Sequence, residues 1–222
     1  MSKIQPHKLF EIYQDQKSNL YTKSINPGKV LFEERIISEN NEEYREFDPE
    51  RSKLAATIKK GCTNIGIRKS DIVLYLGASH GYTPSHVSDI VGKEGLIFAL
   101  DFAPRVIRDL VFLSYDRNNL VPILADANHP EEFATRISQV DIVYQDVAQR
   151  NQAEIFIKSC NLFLKKGGYG LLAVKARSID AKKKSSVIFN EIRIQLDKLF
   201  KVIDFRILEP YEKDHCMIIV KK

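Results

Sequence analysis

The 222 residues carry 34 Lys and Arg against 29 Asp and Glu, a net charge of +5, and are 44% hydrophobic, which suits one domain with a real core and tilts the partner towards a polyanion. No uninterrupted apolar run approaches the roughly 18 residues of a membrane helix, and no continuous apolar segment follows the first charges, so a cytoplasmic protein is expected. Cys62, Cys160 and Cys216 are odd in number and far apart, without a Cys-x-x-Cys pair, which speaks against a disulfide framework or a zinc site.

In chain order, short strand-like runs come first, at residues 8–14, 19–25, 30–38 and 44–47, with a turn at Pro27 and Gly28. They predict a small antiparallel β subdomain over residues 1–48, packed on a main domain of residues 49–222. A helix follows, with Asp48 as N-cap, Pro49 at its first position, Leu54, Ala55 and Ile58 on one face, and Gly61 as its stop.

From residue 71 apolar runs alternate with amphipathic stretches. Strands are expected at 71–76, 95–100, 121–124, 140–145 and 169–174, with helices from Pro84, from Pro104, near Pro130, over 151–164 and over 185–199. Continuous apolar strands between helices imply a parallel sheet covered on both faces. The runs at 201–208 and 215–221 are joined by a segment too short for a helical crossover, which predicts an antiparallel hairpin at the sheet edge.

Ligands of open α/β sheets bind beyond the carboxyl ends of the strands. Those ends are residues 77–83, Asp101 and Phe102, Asp126 and Ala127, and the run Asp146, Val147, Ala148, Gln149. The first loop, with Gly77 and Gly81, lacks both the dinucleotide fingerprint and the Gly-Lys-Ser/Thr of a P-loop. Asp101 has the bidentate geometry to accept hydrogen bonds from a ribose diol. A nucleoside without pyrophosphate fits, and S-adenosyl-L-methionine is one. The whole resembles the Rossmann-like class I methyltransferase fold, seven strands ending in an antiparallel hairpin. Helix capping by Asp101 and Asp126 would explain either residue singly, and both together with the glycine loop poorly.

The segments "RSKLAA" (51–56), "GASHGYTPSHVSDIVG" (77–92), "DVAQ" (146–149), "VKARSID" (174–180) and "EPYEKDH" (209–215) resemble the fibrillarin family, in order from about residue 20 onwards. That resemblance implies an RNA ribose 2′-O-methyltransferase of box C/D guide ribonucleoproteins, of the short archaeal type without a Gly/Arg-rich tail, acting on rRNA and tRNA. It implies S-adenosyl-L-methionine contacts at Gly77, Ala78, Gly81, Tyr82, Thr83, Asp101, Phe102, Asp126, Ala127, Asp146, Val147, Ala148 and Gln149. Ser79, His80, Tyr82 and Pro84 depart from the family loop, and Arg150 and Asn151 replace a common Pro-Asp. A phenol at 82 must turn away or cover the cofactor. Pro84 is expected at a helix N1 position, where it costs no hydrogen bond.

A ribose 2′-hydroxyl is a poor nucleophile, so the protein must align its oxygen with the methyl carbon and help remove a proton. Lys175, ending the fifth parallel strand, could stabilise the developing alkoxide or take the proton, and Asp146, ending the fourth, could orient it. The resemblance implies a catalytic set of Lys53, Asp146, Lys175 and His215. Asp146, Lys175 and His215 converge by topology; Lys53 is placed by resemblance only. Lys182, Lys183 and Lys184 read equally as RNA-phosphate contacts and as a solvated helix start. His86 and His129 read as core or capping residues, and no cluster has metal spacing.

The modest basic charge is a weak basis for choosing one nucleotide in a long RNA. The resemblance implies that a box C/D guide RNA pairs with the target, that a Nop56/58-type scaffold protein docks the enzyme, and that a kink-turn-binding ribosomal-type protein completes the particle. A stand-alone methyltransferase would share the fold and bind its substrate unaided. A non-catalytic nucleotide-binding subunit could dispense with Asp146 and Lys175.

Overall fold

The computed structural model describes residues 3–222. Its small sheet comprises β1 (Ile4–Pro6), β2 (Ile12–Asp15), β3 (Leu20–Lys23), β4 (Ile36–Glu39) and β5 (Glu42–Glu46), in the antiparallel order β1-β2-β3-β5-β4. The run expected at 30–38 becomes a strand only at Ile36. Before that, Glu34 turns inward, its carboxylate accepting from Phe32 N (2.7 Å) and Arg45 Nε (2.7 Å), which forbids an extended path. Residues 8–11 likewise form a turn, with Ile12 N donating to Leu9 O, and the additional strand β1 pairs with β2.

Helix α1 (Lys53–Lys59) is capped by Ser52, whose Oγ accepts from Ala55 N at 3.3 Å. Asp48 is therefore not its N-cap. The Asp48 carboxylate accepts from Glu50 N at 2.8 Å and closes a separate turn one step earlier. Gly61, at φ +83°, follows the helix end as expected of a C-terminal glycine.

The large sheet has the order β11-β12-β10-β9-β6-β7-β8, from β6 (Ile72–Leu76), β7 (Leu96–Asp101), β8 (Leu120–Leu124), β9 (Val140–Gln145), β10 (Leu164–Lys175), β11 (Lys201–Ile207) and β12 (His215–Lys221). Its first five strands are parallel, while β12 lies antiparallel between β10 and the edge strand β11. The helices are α2 (Tyr82–Val91), α3 (Pro104–Asp116), α4 (Pro130–Phe133), α5 (Gln152–Phe163), α6 (Ala176–Ile179) and α7 (Ser185–Asp197). Pro84 stands third in α2 rather than first, because Gly81 is the N-cap. Its missing N–H still costs nothing, since the first turn has no intrahelical acceptors.

One face of the sheet packs Tyr75, Tyr144, Ala173 and Met217 against Leu54 and Ile58 of α1 and against Leu9, Ile12, Leu20 and Phe47 from the small-sheet region. The other packs Leu74, Val143, Leu172 and Ile218 against Phe156 of α5 and Phe189 and Leu196 of α7. Thus the two sheets share one core. Arg45 of β5 reinforces the joint, its Nη1 lying 2.7 Å from Asp89 Oδ2 of α2, while Arg117 Nη1 holds Asp89 Oδ1 at 2.8 Å. His86 is buried beside this network, stacked on Phe47 with its Nδ1 2.7 Å from Thr22 Oγ1. Burial, reinforced by the surrounding arginines, holds its pKa well below 6.5.

Candidate active site

The parallel strands deliver their following residues to one edge of the sheet. A cavity of about 260 Å³ opens there, lined by Gly77, Ser79, Asp101, Phe102, Asp126, Ala127, Asn128, Asp146, Val147, Ala148 and Gln149 among others. A second lobe of about 320 Å³ is lined by Arg51, Lys53, Tyr75, Ala78, Tyr82 and Thr83, and shares Gly77, Ser79 and Asp146 with the first. The predicted cofactor and catalytic residues are thus brought together, apart from Gly81, Lys175 and His215, which line neither lobe, and the expected RNA contacts Lys182, Lys183 and Lys184 also lie outside both.

The two loop glycines have different causes. A Cβ on Gly77 (φ +80°) would stand 2.3 Å from Asp146 O, so only glycine lets the loop close on the end of β9. A Cβ on Gly81 (φ +92°) would stand 2.5 Å from Leu113 Cδ2, so that glycine serves packing against α3 rather than approach of a ligand.

Asp101 is pre-oriented: Oδ2 accepts from Ser79 N (3.0 Å) and Oδ1 from Ala103 N (3.1 Å), leaving acceptor capacity on each oxygen. Phe102 is 67% exposed beside it. Asp126 Oδ1 accepts from Asn128 N (2.9 Å) and Nδ2 (2.8 Å), and these bonds hold its carboxyl below the usual range. His80, a departure from the family loop, reaches Asp109 of α3 at 2.7 Å.

Tyr82 turns away. Its hydroxyl accepts from Asp48 N (3.0 Å) and donates to Glu46 O (3.3 Å), its ring carries the Arg51 guanidinium at 4.2 Å, and burial pushes its pKa up to about 12. Thr83 is buried, and its hydroxyl donates to Ser52 Oγ at 3.0 Å. The loop thereby braces the cap of the helix that begins with Lys53.

Lys53 Nζ lies 2.9 Å from Asp146 Oδ2, with side chains 17% and 25% exposed. Burial opposes the lysine's charge, yet the Asp146 carboxylate more than offsets this and raises the Lys53 pKa above its ordinary value. Lys175 and His215 are direct partners across β10 and β12. Side chains two apart on a strand share a face, so Asp146 follows Tyr144, Lys175 follows Ala173 and His215 precedes Met217 on the α1 side of the sheet. Topology and packing therefore gather Lys53, Asp146, Lys175 and His215 in one quarter of the fold.

The His215 Nδ1 lies 2.6 Å from Lys213 O. A carbonyl only accepts, so Nδ1 carries the proton and Nε2 keeps its lone pair. Burial first, then the Lys53 charge, holds the His215 pKa below 6.5 against the opposing carbonyl bond.

Lys182 and Lys184 are exposed, whereas Lys183 Nζ is bound by the Glu191 carboxylate at 2.5 and 2.6 Å. Asp214, just before His215, ties down both ends of this loop, accepting from Arg177 Nε (3.0 Å) and Ser185 Oγ (2.5 Å). Sequence reasoning overlooked Ser52 and Gln152. The Oε1 of Gln152 accepts from Lys175 N at 2.9 Å. The signal for Ser52 was present, a hydroxyl residue three positions before Ala55; none marked Gln152.

This strand order, with a two-lobed cavity at the carboxyl edge and an oriented carboxylate after β7, is that of a class I methyltransferase. The Fibrillarin family model matches residues 3–222, and the chain belongs to that family. The Pyrococcus abyssi protein called fibrillarin-like rRNA/tRNA 2′-O-methyltransferase is 46% identical over 226 residues, covering 100% of both chains. Aeropyrum pernix fibrillarin, solved with natively bound S-adenosyl-L-methionine, aligns with TM-score 0.89 and 40% identity over 99% of this chain and 98% of its own. The fibrillarin in a fibrillarin/Nop5p complex aligns with TM-score 0.88 and 37% identity over 96% of this chain and 97% of its own.

Proposed function

We propose that the chain methylates ribose 2′-hydroxyls of rRNA and tRNA, using S-adenosyl-L-methionine, at nucleotides chosen by a box C/D guide RNA. The observation that carries this reading is the Lys53–Asp146 pair, with Lys53 in the second lobe and Asp146 on the wall shared by both, beside the Lys175–His215 pair. The residues fit the cofactor: Gly77 lets the loop close on the end of β9 at the cavity wall, and Asp101 presents two oriented oxygens.

When bound, S-adenosyl-L-methionine supplies a methyl carbon already activated by its sulfonium. Asp101 would accept from the vicinal hydroxyls of its ribose, with Phe102, Asp126, Ala127 and the run from Asp146 to Gln149 enclosing the nucleoside. Gly77, Ala78 and Thr83 would border the remainder. Lys53 holds Asp146 in place, and Asp146 orients the reacting centre. The Lys175 ammonium stabilises charge developing on the 2′-oxygen. His215, neutral at pH 7, accepts the proton at Nε2.

Because the similar fibrillarin was solved with Nop5p, we assign this chain a Nop56/58-type scaffold, with a kink-turn-binding ribosomal-type protein completing the particle. Lys182 and Lys184 would meet RNA phosphates. Among the described residues no helix is long and apolar enough to cross a membrane, and we place the work in the cytoplasm.

The test is methyl transfer to guide-paired RNA with and without scaffold. Transfer requiring both guide and scaffold is expected. Equal turnover on unpaired RNA would overturn guide dependence, and cofactor binding without any transfer would make the chain a non-catalytic subunit.

A further inference from the structure

Strand β10 outruns its neighbour. The ladder between β9 and β10 ends at Gln145↔Leu172, after which β9 is paired only on its other side, Asp146 N donating to Leu76 O of β6 at 2.8 Å. The peptide groups of Lys175, three residues further on, thus have no β9 strand beside them. Buried backbone groups need partners, and here a side chain supplies them. Gln152 Oε1 accepts from Lys175 N at 2.9 Å, and Gln152 Nε2 donates to Lys175 O at 3.2 Å. That is the donor and the acceptor a neighbouring strand would offer.

The same amide reaches the cavity wall. Gln152 Nε2 also donates to Gln149 O at 2.9 Å, and Gln152 O accepts from Gln145 Nε2 at 2.6 Å. Gln145 and Gln152 are both 0% exposed. Only a glutamine satisfies this arrangement: glutamate lacks the donors for two carbonyls, and asparagine is one methylene short.

We infer that Gln152 is a positioning residue for methyl transfer, standing in for a missing strand at Lys175 and fixing that lysine relative to the cofactor wall at Gln149. This rests on the proposed role of Lys175. Gln152 touches no reacting group; it acts by holding the Lys175 backbone extended, at φ −105° and ψ 97°, so that the side chain leaves on the α1 side of the sheet. A misplacement of about 1 Å costs up to about 10²-fold in rate.

The test is single-turnover methylation of guide-paired RNA in the assembled particle at saturating S-adenosyl-L-methionine, comparing wild type, Gln152→Met, Lys175→Ala and the double variant. Gln152→Met fills the volume without the three side-chain hydrogen bonds. The expected result is a rate loss of about ten- to a hundredfold, with cofactor affinity changed much less, and no further loss on adding Gln152→Met to Lys175→Ala. A wild-type rate in Gln152→Met, or losses that multiply in the double variant, would overturn the inference while leaving the methyltransferase reading intact. Failure of the wild-type particle to methylate would instead remove that reading. Should Gln152→Met not fold, hydrogen exchange in the wild type decides: a Lys175 amide protected like the β10 strand interior supports the clamp, and rapid exchange refutes it.

Discussion

Lys53 and Asp146, 93 positions apart in the chain, meet at 2.9 Å between Nζ and Oδ2. The contact joins the helix that follows the small sheet to the end of a central parallel strand, so it depends on the core that the two sheets share. Lys53→Ala is expected to leave a half-buried carboxylate without its cation. The cost is about 1 to 3 kcal/mol of stability, together with a large loss of transfer rate. Denaturant unfolding and single-turnover methylation check both parts; an unchanged rate would remove the pair from the mechanism.

Cofactor affinity separates Asp101 from Tyr82. Asp101→Ala removes acceptors worth about 1.5 to 3 kcal/mol each and should weaken S-adenosyl-L-methionine binding at least tenfold by calorimetry. Tyr82→Phe should leave affinity unchanged and cost about 1 kcal/mol of stability, because its hydroxyl serves Asp48 and Glu46.

The proton acceptor should show itself in the pH profile. With its pKa held below 6.5, His215 is neutral at pH 7, so the transfer rate is expected to be flat above neutrality and to fall as pH drops through the lowered value. His215→Gln should be slower by about 10²- to 10⁴-fold and lose that acid limb. Persistence of the limb in the variant would assign it to another group. Lys175→Ala should be slower by about 10²- to 10⁴-fold at all pH values with cofactor binding retained, while retained activity in Lys175→Arg would mark a purely electrostatic lysine.

RNA contact at the lysine loop is a matter of salt dependence. Replacing Lys182 and Lys184 with alanine should flatten the dependence of particle assembly on salt by about one or two charges. Lys183→Ala should change it less, because Glu191 already neutralises that ammonium. Equal slopes for all variants would leave the loop a solvated helix start.

Buried His86 predicts acid lability. Its folded pKa lies well below 6.5, so between the two values the unfolded chain binds the extra proton. Stability is therefore complete above pH 6.5 and declines as pH falls towards the folded value, by up to about 1.4 kcal/mol per unit. His7 and His215 are shifted the same way and add to the slope. His86→Phe should reduce the slope by close to one proton in unfolding titrations, whatever its effect at pH 7.

Strand ends were legible because apolar runs stop where the sheet stops, so Asp101, Asp126 and Asp146 could be located without a structure. The start of α1 was not, since Asp48-Pro49 and Ser52 both carry capping signals. The choice of Ser52 coincides with support from Thr83, far along the chain, at its hydroxyl. Tyr82 was left open between two orientations, and its hydroxyl is held by Asp48 and Glu46, with Phe32 against its ring, all from the small-sheet region. Nothing in the local sequence marks Gln152 at its helix start; its burial follows from β10 running on beyond its pairing with β9, which no local pattern records. Lys53 was tied to its partners by family likeness alone, and acquires a physical reason only from the contact with Asp146.

The pairing of Lys175 with His215, and of Val174 with Cys216, makes catalysis a parity check on the fold. A slip of β12 by one residue would set Cys216 opposite Lys175 and send the imidazole to the far side of the sheet, while most ladder bonds could re-form. Such a protein would give a normal far-ultraviolet spectrum and be silent. Cys216 is 0% exposed and its thiol is pushed upward by burial, so in the native register it resists alkylation. A thiol reagent that labels position 216 would count the slipped molecules in a preparation, independently of any RNA.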